Sequence, residues 1–339
     1  MPLKLFERSD LEARLSPREG ERKLGERIKV GSELQHTALD EIDARFVIIG
    51  VPEDAGPRAN LGKAGAESGW EYFLNSFLNT QENQFLSATS IMLLGEIDVR
   101  DHPNYQSKQT DKLRDLVAEL DREVSELIET VVKANKIPIL IGGGHNNAYG
   151  LLKGSALAIG KSINCINLDP HADYRMLEGR HSGNAFSYAR KEGHLDQYHV
   201  CALHQNYNSK EVLDTFRKDK GLDYRSFDYG IIQGNLTFKN MVKQGLEFVY
   251  GKAFGVELDC DGIQHFPSSA MSSSGVSPNQ ARMYAYRSAC CHNSIYFHLT
   301  EAAPILAAED APKWGKLMAY LVSDFIKGKS KLFSNKGNL

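Results

Sequence analysis

The sequence predicts one α/β domain in which a mostly parallel sheet is covered by helices on both faces. Short apolar runs typical of buried strands alternate along the chain with segments whose apolar residues recur at the helical period. Strands that alternate with helices usually pair in parallel, because a parallel neighbour needs a crossover connection. The expected domain spans residues 41–330 and follows an N-terminal extension over residues 1–40.

The N-terminal extension is rich in Glu, Arg and Lys, and Leu11 and Leu15 have helical spacing. We expect a short helix here, packed on the domain or on a neighbouring subunit. Strands are predicted at residues 46–49, 91–94, 137–141, 163–168, 199–203, 254–258 and 294–299. An amphipathic pattern predicts a long helix within residues 108–135, and further helices are predicted around residues 208–218, 237–246, 278–289 and 313–326. The lysine-rich tail over residues 327–336 is expected to be a frayed, solvated end.

Composition excludes several classes of protein. The 339 residues have a formal net charge of −3 and contain no polybasic block, so a nucleic-acid partner is not expected. No run of about 18 apolar residues predicts a membrane span, and the N-terminus lacks the apolar segment of a signal peptide. The five cysteines are odd in number and form no Cys-x-x-Cys motif, which is typical of reduced thiols. We therefore expect a cytoplasmic protein.

Acidic and histidine side chains follow three of the predicted strands at the point where each strand ends. These residues are Asp169, His171 and Asp173 after the run 163–168, His145 after three glycines that follow 137–141, and Asp259 and Asp261 after 254–258. In an extended chain, alternate residues point to one side, so the members of each group converge. Taken singly, a group could be a polar corner, a glycine turn or a cap. Because sites in parallel sheets form beyond the carboxyl ends of the strands, we expect all six side chains to meet.

Four carboxylates and two imidazoles that converge are balanced in charge by two divalent cations. Without a cation, such groups repel or desolvate one another. Hard oxygen ligands favour Mn²⁺-like ions over a thiolate-type zinc site. Two ions about 3.5–4 Å apart can activate a water molecule as hydroxide.

These motifs resemble those of the ureohydrolase family, which comprises arginases, agmatinases and formimidoylglutamases. The resemblance extends from about Val47 to Pro304. It is carried by Gly142-Gly143-Gly144-His145, Asp169-Pro170-His171-Ala172-Asp173, Ser182-Gly183, Asp259-Cys260-Asp261, and Glu301 with Pro304. It implies a three-layer α/β/α fold, two Mn²⁺ ions per chain and, by analogy, a homo-oligomer.

The resemblance also implies a role for each residue of the site. The implied ligands are His145, Asp169, Asp173 and Asp259 for one ion, and Asp169, His171, Asp259 and Asp261 for the other. The family reaction is hydrolysis of a C–N bond in a formimidoyl or guanidino group by a metal-bridging hydroxide. Asp173 would orient the hydroxide and carry its proton to the leaving nitrogen. Glu301 would hold the cationic nitrogens of the substrate, although a solvated loop carboxylate is the alternative.

The resemblance is closest to the formimidoylglutamase branch, whose reaction converts N-formimidoyl-L-glutamate and water to L-glutamate and formamide. Arg175, Ser182-Gly183 and Phe186 support this branch. The sequence departs from the branch at Asn146, Asn184-Ala185 and Ser187, and at Glu257, where many members have Ser or Thr. The alternative is an agmatinase-, guanidinobutyrase- or arginase-type hydrolase that releases urea. A catalytically silent relative and a single-zinc deacetylase are further alternatives.

A substrate with two carboxylates needs two cationic side chains, best supplied by arginine. Arg175 is the candidate for one carboxylate, and Arg180 or Arg58 is the candidate for the other, although each could equally form an ordinary salt bridge. His181 is expected to contact the substrate or relay a proton, unless it is an exposed loop histidine. Ser182 and Asn184 are also expected to contact the substrate.

Overall fold

The structure is a computed structural model that describes residue 1 and residues 3–334. In this described part of the chain, ten strands form one sheet: β1 (Leu3–Leu5), β2 (Lys29–Val30), β3 (Phe46–Gly50), β4 (Ile91–Ile97), β5 (Ile137–Ile141), β6 (Ile163–Leu168), β7 (Leu195–Leu203), β8 (Leu222–Ser226), β9 (Phe254–Asp259) and β10 (Ser294–Thr300). Their order across the sheet is β1-β4-β3-β5-β10-β9-β6-β7-β8, and β2 also pairs with β4. Within the described residues every strand pairing is parallel except that of β1 with β4.

Helices cover both faces of this sheet. They are α1 (Arg8–Glu12), α2 (Ala55–Ala59), α3 (Gly69–Phe77), α4 (Thr110–Lys133), α5 (Asn147–Ile159), α6 (Ala185–Lys191), α7 (Lys210–Lys218), α8 (Phe238–Val249), α9 (Pro278–Ala289) and α10 (Ala311–Ser334). Alternate residues of a strand enter different cores. Phe46 and Ile48 of β3 pack in the core that contains α3, α8, α9 and α10, whereas Val47 and Ile49 pack in the core beneath α2, α4, α5, α6 and α7. The predicted three-layer α/β/α fold is confirmed.

The N-terminal residues pack on the domain of the same chain. Strand β1 pairs with the sheet strand β4, and Leu11 and Leu24 are fully buried in the core that also holds α3. The expected short helix is α1, which includes Leu11 but ends before Leu15. These residues therefore extend the sheet at one edge.

The strands β1, β2 and β8 were not predicted, and the prediction for the tail was wrong. The strand β8 was not predicted, because its sequence Leu-Asp-Tyr-Arg-Ser is half-buried and polar rather than a continuous apolar run. The tail was predicted to fray, but α10 continues through residue 334; residues 335 and 336 lie outside the described residues. Lys329 is buried there and donates hydrogen bonds to the carbonyl oxygens of Cys291, His292 and Ser294. Of the helices in the described part of the chain, none is long and apolar enough to cross a membrane.

Candidate metal centre

Four neighbouring parallel strands end at one edge of the sheet and carry the predicted ligands. The strands β5, β10, β9 and β6 are consecutive across the sheet. His145 follows β5, Glu301 follows β10, Asp259 ends β9 and Asp169 follows β6. The strand order therefore brings together side chains that are far apart in the sequence, as expected at the carboxyl edge of a parallel sheet.

His145 lies at the centre of three carboxylates. Its Nδ1 atom is 3.2 Å from Oδ2 of Asp169, 2.9 Å from Oδ2 of Asp173 and 3.1 Å from Oδ2 of Asp259. One ligand atom from each of these four residues lies within 4.8 Å of the others. The His145 side chain is fully buried, yet within the described residues its Nδ1 makes no aligned hydrogen bond. A buried nitrogen that faces several anionic oxygens without bonding to any of them fits a divalent cation.

The two Asp-x-[His/Asp] pairs share one local geometry. The backbone N–H of His171 donates to Oδ1 of Asp169, and that of Asp261 donates to Oδ1 of Asp259, each at 2.7 Å. In each pair the first aspartate is thereby fixed by the backbone two residues later. Its Oδ2 atom faces His145. The spacing of two residues thus orients the first carboxylate as well as supplying a second side chain.

Asp173 reaches the centre by a turn and not by the extended chain that the alternation argument assumed. Strand β6 ends at Leu168, and Asp173 has a φ of 45°, in the left-handed region that aspartate tolerates better than most residues. The neighbouring Ala172 is held on both sides. Its carbonyl oxygen accepts a 3.0 Å hydrogen bond from the hydroxyl of Tyr198, and its N–H donates to Oδ1 of Asn208 at 2.8 Å.

His171 and Asp261 lie beside the group around His145. The Nδ1 atom of His171 is 3.4 Å from Oδ1 of Asp169 and 3.8 Å from Oδ2 of Asp261. The His171 side chain is 27% exposed, and its ring packs against Tyr207 with the ring centroids 5.5 Å apart. Asp169 therefore lies between two imidazoles, with Oδ2 facing His145 and Oδ1 facing His171.

Acids and imidazoles at this centre shift one another's pKa in opposite directions. Burial raises the pKa of Asp259 well above its ordinary value, and the neighbouring Asp261 and Asp169 raise it further. Burial alone would lower the pKa of His171, but the acidic groups around it, led by Asp169, raise it to about 10. Burial opposes ionisation of Asp169, but His145 and His171 outweigh it and lower its pKa. The centre therefore attracts positive charge, which bound cations would supply in exchange for protons.

The loop after β5 connects His145 to Glu301. The backbone N–H of His145 donates to Oε1 of Glu301 at 2.9 Å, and the hydroxyl of Ser269 donates to Oε2 at 3.2 Å. Gly143 has a φ of 71°, and a Cβ atom at this position would lie 2.7 Å from Oε1 of Glu53. Only glycine fits there, so the glycine run is needed to place His145.

A cavity of about 920 Å³ opens onto this centre. Its lining includes His171, Asp173, Asp259, Asp261, Glu301, Ser182, Arg175, Arg190 and Lys191. Arg175 donates to Oδ1 of Asn60 at 2.9 Å and lies 3.3 Å from Oε1 of Glu178. Lys191 is exposed, and its side chain makes no hydrogen bond or ion pair within the described residues. The cavity thus presents a metal-binding end together with cationic side chains.

Arg180 and Asn184, which the sequence assigned to substrate binding, do not line this cavity. Arg180 is buried, and its Nε donates to Oδ2 of Asp121 at 2.6 Å while its Nη2 donates to the carbonyl oxygen of Asn146 at 3.2 Å. The side chain of Asn184 accepts from Arg180 and donates to the carbonyl oxygens of Met176 and Gly179. Both side chains are saturated by contacts that hold the loop before α6.

His181 and Arg58 also lie outside the cavity lining. The side chain of His181 is fully buried, not exposed in a loop; its Nδ1 accepts from the N–H of Gly183 at 3.1 Å, and its Nε2 lies 3.2 Å from Oε1 of Glu178. Burial lowers the pKa of His181 to about 4, with Arg175 acting in the same direction and Glu178 against it. Its ring caps the short helix at Ser182–Asn184. Arg58 is held by Asp54 and by two backbone carbonyl oxygens.

Three residues near the centre were not assigned a role from the sequence. Glu53 is fully buried, and its Oε1 accepts from the N–H of Gly144 at 2.8 Å, which fixes the glycine loop. Glu257 lies behind His145, with Oε2 3.5 Å from Nε2 of the ring. Lys191 is the exposed last residue of α6, and its position in the sequence does not distinguish it from any solvated lysine. Of the three, only Glu257 could have been found from the sequence, because it lies two residues before Asp259 in one strand and therefore points to the same side of that strand.

Comparisons with known proteins agree with the fold. A family model described as Arginase family matches residues 44–326. A formimidoylglutamase of Streptococcus pyogenes serotype M12 is 25% identical over 269 residues, which cover 76% of this chain and 77% of that protein. The crystal structure of Trypanosoma cruzi formiminoglutamase with Mn²⁺ aligns with a TM-score of 0.73 at 20% identity. The alignment covers 91% of this chain and 98% of that chain. The formimidoylglutamase of Bacillus subtilis has a TM-score of 0.73 at 16% identity and covers 93% and 94% of the two chains.

Proposed function

Because the chain belongs to the arginase family, we propose that it is a hydrolase with two Mn²⁺ ions that cleaves the formimidoyl C–N bond of N-formimidoyl-L-glutamate. Water is consumed, and the products are formamide and L-glutamate. The observation that carries the proposal is the set of three carboxylates around Nδ1 of His145, which opens into a cavity with cationic side chains. The curated relatives named formimidoylglutamase support the choice of substrate.

The residues of the centre divide the work between binding the ions and binding the substrate. His145, Asp169, Asp173 and Asp259 would hold one ion, and Asp169, His171, Asp259 and Asp261 would hold the other. The bound pair would supply Lewis acidity and a water with a lowered pKa. Asp173, which lines the cavity, would accept the proton of the attacking water and return it to the leaving amine nitrogen. Glu301, which also lines the cavity, would hold the cationic amidine nitrogens.

Arg175 and Lys191 are our candidates for the two substrate carboxylates. Both line the cavity, and Lys191 has no partner within the described residues to compete with a carboxylate. Arg190 lines it too, but contacts two carboxylates, at 3.3 Å from Oδ1 of Asp196 and 3.0 Å from Oδ1 of Asp219. Arg175 contacts one carboxylate, that of Glu178. Ser182 remains a candidate for a polar substrate contact because it lines the same cavity.

A substrate panel tests the proposed reaction. The Mn²⁺-loaded protein should release formamide and glutamate from N-formimidoyl-L-glutamate and should release little urea from agmatine, 4-guanidinobutyrate or arginine. Asp173→Asn serves as the inactive control for contaminating hydrolases. If the protein releases urea from a guanidino compound and does not turn over formimidoylglutamate, the proposal is wrong and the protein is a guanidino hydrolase. The exposed carboxylate of Glu211 at the cavity would then be the candidate partner for the amine of agmatine.

Substitution of the cationic side chains tests the assignment of the carboxylate contacts. Lys191→Ala and Arg175→Ala should each raise KM for formimidoylglutamate about tenfold, because a charge-assisted hydrogen bond is lost, with a smaller change in kcat. Lys239→Ala, an exposed lysine on α8, is the matched control and should leave KM unchanged. A wild-type KM for both cavity variants would disprove the assignment.

We also propose that the protein is cytoplasmic and forms a homo-oligomer. All five cysteines are free, which supports a reducing compartment. Light scattering of the purified protein tests the oligomeric state, and a mass of one 37.8 kDa chain would contradict it.

A further inference from the structure

A second buried network lies behind His145, on the side of the ring away from the three aspartates. Glu257, on β9, is fully buried. Its Oε2 is 3.5 Å from Nε2 of His145 and 2.5 Å from Nδ1 of His298. Its Oε1 accepts a 2.7 Å hydrogen bond from the hydroxyl of Tyr296. One carboxylate thus contacts two imidazoles and a phenol inside the sheet.

This network bears on which nitrogen of His145 carries the ring proton. Nδ1 faces the carboxylates and must be unprotonated to bind a cation, so the single proton of the neutral ring belongs on Nε2. Nε2 is buried, and Oε2 of Glu257 is the acidic oxygen beside it. A carboxylate behind a metal-binding imidazole fixes the tautomer and the ring orientation, and it strengthens the opposite nitrogen as a ligand.

The other contacts of His145 cannot fix which of its ring nitrogens carries the proton. Its backbone N–H donates to Glu301, and the ring of Phe186 packs against it at 90° with the centroids 5.2 Å apart. These contacts restrict where the ring lies, but neither accepts a proton from Nε2. The ring of His298 is a further neighbour, and its Nδ1 is directed to Glu257.

We propose that Glu257 is a positioning residue of the metal centre, whose carboxylate accepts the Nε2 proton of His145 and holds Nδ1 towards a bound cation. The inference rests on the metal site of the proposed function and not on the identity of the substrate. The carboxylate is accommodated because His298 and Tyr296 satisfy its other acceptor positions.

Metal binding by a Glu257→Gln variant tests the proposal. Glutamine keeps the size of the side chain and removes the charge. The Mn²⁺ affinity, measured by equilibrium dialysis on the full-length chain, should fall about 10–100-fold. Glu96→Gln is the matched control, because Glu96 is also a buried strand carboxylate and accepts 2.7 Å hydrogen bonds from Trp70 and Arg100. It should lose thermal stability but keep its Mn²⁺ affinity within about threefold.

The outcomes separate this inference from the proposed function. If wild type binds two Mn²⁺ ions and Glu257→Gln binds them within about threefold of wild type, the positioning role is overturned. A third tightly bound ion per chain would also overturn it, because His145, Glu257 and His298 would then form a cation site of their own. If wild type binds no divalent ion, the proposed function itself fails.

The tautomer can be read in the wild-type protein, so the test survives if Glu257→Gln does not fold. The chain is loaded with a diamagnetic divalent ion, and its histidine rings are observed by ¹⁵N NMR, with His145 assigned through a His145→Asn variant. We expect a slowly exchanging proton on Nε2 of His145, shifted downfield by a hydrogen bond to a carboxylate. A proton on Nδ1 of His145 would overturn the proposal.

Discussion

Replacing Asp259 by Asn is expected to change the stabilities of the metal-free and metal-loaded protein in opposite directions. Oδ2 of Asp259 belongs to a group of four ligand atoms that lie within 4.8 Å of one another. Two like unit charges at that distance repel by about 3.5 kcal/mol at an effective dielectric constant of about 20. Asparagine retains an oxygen that can accept the N–H of Asp261 and removes the charge.

The metal-free variant should gain about 1–2 kcal/mol in free energy of unfolding, because protons on neighbouring groups already cancel part of the repulsion. Metal binding should then contribute less, because the variant lacks the anion expected to be shared by both sites. At 100 times Kd, each site of the wild type contributes about 2.7 kcal/mol. For a chain of this length, 1 kcal/mol corresponds to roughly 1–2 °C in Tm. The metal-free Tm should therefore rise by a few degrees, and the Mn²⁺-induced increase should fall to less than half.

Calorimetric scans of chelated and Mn²⁺-loaded protein measure both effects. Asp324→Asn is the matched control, because Asp324 lies in α10 and forms an ion pair with Arg282, whose Nε is 2.6 Å from Oδ2. This control should lower the metal-free Tm and leave the Mn²⁺-induced increase unchanged. If Asp259→Asn behaved as the control does, the electrostatic reasoning would be refuted.

Three further substitutions test residues around the centre. His181→Gln should make the free energy of unfolding less sensitive to acid. The pKa of His181 in the folded state is about 4, below the ordinary 6.5, so the wild type loses about 1–2 kcal/mol of stability as the pH falls from 6.5 towards 4. Urea unfolding of both proteins at pH 7 and pH 4.5 measures the difference. Arg180→Met should lower the free energy of unfolding by about 3–5 kcal/mol, because the substitution leaves Asp121 buried and unpaired. Steady-state kinetics of the folded variant should give an unchanged KM, because Arg180 does not line the cavity. Gly143→Ala should displace the glycine loop and weaken Mn²⁺ binding at least about tenfold, as measured by titration calorimetry. Gly160→Ala is the control: Gly160 also has a positive φ, of 75°, but nothing lies within 4 Å of the added Cβ, so the substitution should cost only about 1 kcal/mol of stability.

The fold could be predicted from the sequence wherever burial on both faces made a strand apolar throughout. The run at β3 was visible for this reason, since all five of its residues are buried. Strand β8 lies at the other edge of the sheet, where Asp223, Tyr224 and Arg225 are only half-buried and give no such run. The tail was misjudged because its lysines suggested solvent, whereas Lys329 is buried against backbone carbonyl oxygens. Edge and terminal elements depend on tertiary contacts that composition does not encode.

The ligand set could be proposed from the sequence because each of its groups directly follows a strand. The substrate contacts could not, because an arginine near the motif is equally able to bind substrate or to hold a loop. What decides the role of Arg180 is Asp121, which lies 59 residues away in the sequence and takes up its guanidinium. The same uncertainty applied to His181, whose ring is directed to Glu178 and the N–H of Gly183.

The parallel register also explains why Glu257 belongs to the centre. Asn167 on β6, Glu257 on β9 and His298 on β10 are in register across three adjacent strands. Each lies two residues before a residue at the carboxyl edge of the sheet, namely Asp169, Asp259 and Thr300. The three side chains therefore form a polar layer directly beneath the ligands. Asn167 donates to Oδ2 of Asp169 at 2.9 Å from this layer, as Glu257 is placed to accept from His145. The alternation that places Asp169 and Asp259 at the centre therefore places residues that support the centre as well, and Glu257 is the carboxylate of that layer.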